Sequence, residues 1–132
     1  RKIIIMDNTQ NKKNILIIED DSTLQDAYQK AFEKSGYNVI LETKGSNGLQ
    51  KAKSENPALI ILDLMLAEGI NGFDVLEQLK KDEDLAKIPV FVLTNLDSKE
   101  DTVNAIGAEK CFVKTDIFIE DLIKEIDKRL AI

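Results

Sequence analysis

A chain of 132 residues suits a single domain and is too short for two ordinary ones. Its 43% hydrophobic residues can build a core, and its 32% charged residues suit a solvated surface. A net charge of −6 argues against this chain gripping nucleic acid by itself. The absence of histidine removes His-based acid–base catalysis, His-dependent triads, histidine-ligated zinc and any role as a phosphohistidine donor.

The longest apolar runs, such as Leu59 to Leu62, fall far short of the roughly 20 residues that span a bilayer, so no membrane partner is expected. Arg1-Lys2 is followed by only four apolar residues, Ile3 to Met6, which is no secretory signal pattern. The lone Cys111 rules out an internal disulfide and fits a reducing compartment. A cytoplasmic protein is the expectation.

In chain order, Ile15 to Ile18 is a continuous apolar run, the mark of a strand buried on both faces. Ser22 with Gln25 reads as a capping box, and Leu24, Ala27, Tyr28, Ala31 and Phe32 follow at helical spacing until Gly36. Tyr37 to Leu41 predicts a second strand and Leu49 to Ser54 a short helix, broken by Asn56-Pro57 before a third strand, Leu59 to Leu62. Phe73, Leu76 and Leu79 form a helical stripe closed by the polar stretch 80–87. Pro89 introduces a fourth strand, Val90 to Leu93, and a weak helix is predicted from Ser98 to Ile106. Gly107 stops that helix before a fifth strand, Cys111 to Val113. Ile119, Leu122, Ile123, Ile126 and Leu130 then make an amphipathic final helix.

Strands alternating with helices in this way predict an α/β domain, a doubly wound five-stranded parallel sheet with five helices. The pattern occupies 14–132. Residues 1–13 lie outside it, as an expression remnant before a native start at Met6 or as a linker from an upstream domain. The end at Ile132 leaves two readings, a stand-alone protein or a piece of a longer one.

In doubly wound sheets the ligand crevice lies beyond the carboxyl ends of the strands. The residues found there are Glu19-Asp20-Asp21, Asp63, Thr94 and Lys114. Glu19, Asp20 and Asp63 bring three carboxylates together, an arrangement that repels itself unless a hard cation such as Mg²⁺ neutralises it. Asp63 is then a candidate nucleophile forming an aspartyl phosphate, with Lys114 and Thr94 supplying charge and a hydroxyl donor to phosphoryl oxygens.

These residues resemble the response-regulator receiver family of two-component systems over about Lys13 to Leu130. ILIIEDD resembles the family's first strand and acidic pair, Glu19 and Asp20. LIILDLML resembles its phosphoacceptor strand, PVFVLTN carries the hydroxyl of Thr94, and CFVKTD the lysine, Lys114. The resemblance implies a flavodoxin-like receiver topology, Asp63 as acceptor, and Mg²⁺ held by Glu19, Asp20, Asp63 and the backbone carbonyl of Met65. It implies a histidine kinase or phosphotransfer protein as donor and an altered surface for a downstream protein. A homodimer on phosphorylation is left open. Such a domain is not an enzyme acting on a free substrate; it assists only its own phosphorylation and dephosphorylation. Departures from the family pattern are Ala67 for a proline four residues after the acceptor, Asn95 for a small residue, and Cys111 for a frequent aromatic.

The alternative is a receiver-like interaction module that works without phosphate. A haloacid-dehalogenase-type phosphatase wants an acid where Met65 stands. A flavodoxin-like cofactor binder or a dinucleotide site would set phosphate against three consecutive acids, and the glycine fingerprint of the latter is missing.

Overall fold

A computed structural model describes residues 12–95 and 99–131, so the segment 1–11 of the predicted extension lies outside the described residues. Five strands form one parallel sheet: β1 (Asn14–Ile18), β2 (Asn38–Glu42), β3 (Leu59–Leu62), β4 (Val90–Thr94) and β5 (Lys110–Val113), in the order β2-β1-β3-β4-β5. Five α-helices alternate with them: α1 (Ser22–Lys34), α2 (Gly45–Glu55), α3 (Gly72–Lys81), α4 (Glu100–Ile106) and α5 (Ile119–Leu130).

Ile15–Ile18, Leu59–Leu62 and Val90–Leu93 run continuously apolar through the central strands because helices cover both sides of the sheet. Leu16, Ile18, Ile60, Leu62, Val90 and Val92 point to a layer holding Ala52 of α2, Val75, Leu76 and Leu79 of α3, and Val103 of α4. Ile15, Ile17, Leu59, Ile61, Phe91 and Leu93 face Tyr28 and Phe32 of α1 and Leu122 and Ile126 of α5. The chain turns one way from β1 to reach β2 and the other way to reach β3, β4 and β5. The switch point therefore lies between the carboxyl ends of β1 and β3.

Several local readings of the sequence are corrected by the structure. The cap of α1 is Asp21, whose Oδ1 accepts from the N–H groups of Thr23 (2.9 Å) and Leu24 (3.1 Å). Ser22 is the first helical residue, and Gln25 is buried and turned to other work. The second helix begins at Gly45 rather than Leu49, because its inner face is made of glycine: a Cβ on Gly48 would lie 2.4 Å from Ile18 Cδ1. The polar stretch after α3 is also ordered. Leu85 is buried in a 3₁₀ turn, Leu85–Lys87, and Lys80 Nζ donates to the carbonyls of Ala86 (3.1 Å) and Ile88 (2.9 Å). The predicted helix start at Ser98 lies outside the described residues; the helix is seen from Glu100.

Candidate functional site

Strand register builds the crevice. Ile18 pairs with both Glu42 of β2 and Leu62 of β3, so Glu19 and Asp63 leave the sheet side by side. Their backbones stay tied to the sheet. The Glu19 N–H donates to the Glu42 carbonyl and the Asp63 N–H to the Ile18 carbonyl, both at 3.0 Å. Leu62 pairs with Val92, and Thr94 pairs with Val113, the residue before Lys114. One end of the sheet thus collects all the strand-end residues singled out in the sequence.

Carboxylate oxygens of Glu19, Asp20 and Asp63 lie within 4.8 Å of one another. Glu19 and Asp63 are buried, at 2% and 4% exposure, and Asp20 is half-buried. Lys114 Nζ reaches into this group, 2.5 Å from Glu19 Oε1 and 3.0 Å from Asp63 Oδ2. Three negative groups against one ammonium leave an excess of negative charge, and the donor set is all oxygen. Such a set suits a hard divalent cation.

Burial pushes the Glu19 carboxyl above its usual value. The hydrogen bonds from Lys114 and the Asp21 N–H work against that rise, and the neighbouring Asp63 charge adds to it. For Lys114 burial acts to lower the value, but the hydrogen bonds to Glu19 and Asp63 outweigh it and hold the ammonium charged beyond its ordinary range. Thr94 is fully buried at the end of β4. Met65 has an exposed side chain, while its N–H donates to Asp63 Oδ1 at 3.0 Å.

Two residues to which the sequence assigned no part in the site shape this end of the sheet. Gln25 Nε2 donates to the carbonyls of Glu19 (2.6 Å) and Glu42 (3.2 Å), clamping the ends of β1 and β2 from α1. Gly72 starts α3 hard against the acceptor strand. A Cβ there would lie 2.2 Å from the Asp63 carbonyl oxygen and 2.4 Å from Leu64 Cα. Neither role has a sequence signal of its own, since both depend on backbone groups that only the fold brings within reach.

Residues 15–127 match the family model for the response regulator receiver domain. The chain belongs to that family. The receiver domain is 33% identical to protein PilH of Pseudomonas aeruginosa over 119 residues, covering 89% of this chain and 97% of PilH. It is 36% identical to the alkaline phosphatase synthesis transcriptional regulatory protein PhoP of Bacillus subtilis over 104 residues. That match covers 77% of this chain but 42% of PhoP. Among solved structures, a response regulator receiver domain protein of Methanospirillum hungatei superposes with a TM-score of 0.82 at 27% identity, over 91% of this chain and 94% of that one. The receiver domain of the sensor histidine kinase PA1611 of P. aeruginosa, solved with magnesium coordinated in its active-site cleft, gives a TM-score of 0.81 at 19% identity. It covers 92% of this chain and 99% of its own. Among the described residues no helix is long and apolar enough to cross a membrane.

Proposed function

We propose that Asp63 accepts a phosphoryl group from a phosphohistidine of a histidine kinase or phosphotransfer protein, and that the phosphorylated domain presents a changed surface to a downstream protein. The observation that carries this reading is the convergence of Glu19, Asp20 and Asp63 within 4.8 Å, with Lys114 bonded to two of them. Glu19, Asp20, Asp63 and the Met65 carbonyl would hold Mg²⁺. That the PA1611 receiver carries magnesium in its cleft supports the assignment. When bound, the ion supplies positive charge to the phosphoryl oxygens as the group passes between donor and acceptor.

The chain's own residues do the rest. A carboxylate oxygen of Asp63 attacks phosphorus, the P–N bond to the donor imidazole breaks, and its electron pair returns to the ring nitrogen. Lys114, already 3.0 Å from Asp63, moves its charge from carboxylate to phosphoryl oxygen, and the Thr94 hydroxyl donates to another. Asp63 stays anchored through its N–H on Ile18 and through Met65 on its carboxylate, so little reorganisation is needed at the acceptor. The signalling unit is 14–132, it acts in the cytoplasm, and it catalyses only its own phosphorylation and dephosphorylation.

Intact mass spectrometry after incubation with acetyl phosphate and Mg²⁺ tests the assignment. Wild-type protein should gain one group of about 80 Da, and Asp63→Ala none. Equal labelling of Asp63→Ala would remove Asp63 from the mechanism.

A further inference from the structure

Glu19 and Asp63 share Lys114, but among the described residues no ion pair reaches Asp20. Its carboxylate has a different partner: Oδ2 accepts from the backbone N–H of Ala67 at 2.7 Å. Ala67 sits in the loop between β3 and α3, and the same loop is fastened at two further points. Met65 N–H is bonded to Asp63 Oδ1, and Glu68 pairs at 3.6 Å with Lys44, the residue that precedes α2. Asp20, Thr43, Lys44, Ala67 and Glu68 line one groove beside the acidic cluster.

We propose that the Ala67 amide is a positioning group for Asp20, holding its carboxylate turned towards Glu19 and Asp63 and so linking Mg²⁺ binding to the β3–α3 loop. The inference rests on the Mg²⁺ reading given above. Two neighbouring carboxylates repel that of Asp20, and an unheld side chain would rotate out to water, where repulsion is screened. A charge-assisted N–H···O bond opposes that rotation, and one oxygen held by the amide leaves the other for metal. The bond depends on the residue type at position 67, because a proline there has no N–H to give. The side chain of Ala67 is exposed and contributes only a methyl group, so the amide and not the side chain is the functional element.

Mg²⁺ affinities of the wild type, Ala67→Pro, Asp20→Ala and the double variant, measured by calorimetry, form a cycle that isolates the contact. Ala67→Pro should bind Mg²⁺ about three- to tenfold more weakly than wild type, and should add no further loss in the Asp20→Ala background. Unchanged affinity in Ala67→Pro, or an equal loss in both backgrounds, would overturn the role of the amide while leaving the metal site intact. Absence of Mg²⁺ binding in the wild type would instead overturn the metal reading itself. A second measurement stands if Ala67→Pro does not fold. The Ala67 amide proton resonance should lie downfield in the metal-free protein, move upfield in Asp20→Ala, and shift on Mg²⁺ titration with the midpoint found by calorimetry. A resonance indifferent to both changes counts against the proposal.

Discussion

With Nζ 2.5 Å from Glu19 and 3.0 Å from Asp63, Lys114 is the counter-ion of two buried acids at once, and its removal leaves both uncompensated. Breaking a buried ion pair by deleting one partner typically costs about 3–5 kcal/mol. Lys114→Met should therefore melt roughly 10 °C lower than wild type in metal-free buffer near neutral pH. The sign with pH follows from Glu19. Its carboxyl is already raised by burial, and losing Lys114 removes the opposing hydrogen bond and raises it further. A carboxyl raised in the folded state contributes stability at low pH that is lost as pH climbs from the ordinary value through the folded one. The deficit of Lys114→Met should accordingly shrink towards pH 5 and widen towards pH 8. Mg²⁺ should also raise the melting temperature of the variant more than that of the wild type. Parallel melting curves with a pH-independent gap would show that Lys114 does not neutralise these acids.

At the scale of elements, the crevice depends on how closely α3 approaches the end of β3. Gly72 N–H donates to the Leu64 carbonyl at 3.0 Å, and Asn71 caps the helix through a bond from the Asp74 N–H to its Oδ1, also at 3.0 Å. A methyl group at position 72 would meet backbone atoms of Asp63 and Leu64, which cannot rotate away as a side chain could. Gly72→Ala should cost about 2–3 kcal/mol in urea denaturation and also slow labelling of Asp63 in protein that remains folded. A variant of wild-type stability and labelling rate would show that α3 can stand further off. Such approaches were not legible in the sequence, whereas the strand ends were. Buried parallel strands write continuous apolar runs, so the first polar residue after each run marked the crevice at Glu19, Asp63 and Lys114 directly. The second helix was read short because Gly45 and Gly48 leave no apolar stripe where the backbone packs on Val75 and Ile18. The capping box was read at Ser22 because its pattern is local, yet Asp21 supplied the cap and Gln25 bonded across strands instead. A contact made by a backbone group, such as Ala67 N–H on Asp20, shows in the sequence only as a residue other than proline at that position.

Across the whole molecule, both tyrosines of the chain lie buried in the layer between α1, the sheet and α5. Tyr28 stacks on Phe32 with ring centroids 6.0 Å apart, and burial pushes its phenol up to about 12. Tyr37 ties the end of α1 to the last helix by donating to the Asp127 carboxylate, and its phenol is raised by burial first and by that bond second. A phenol raised in the folded state contributes stability that is complete below the unfolded value of 10.0 and is lost as pH rises through the folded value. Lys114 is raised as well, so its charge persists over the same range and adds an effect of the same sign. The domain should therefore keep both phenols protonated at pH 10 and lose stability steeply between pH 10 and 12, with tyrosinate forming as the chain unfolds. Ultraviolet absorbance of tyrosinate and far-ultraviolet circular dichroism, followed together through an alkaline titration, test the linkage. The two signals should change in one step well above pH 10, and 1 M urea should move that step to lower pH without separating them. Tyrosinate appearing near pH 10 with helical signal intact would mean that the α1–α5 layer is open to water, and that neither phenol is held as these contacts require.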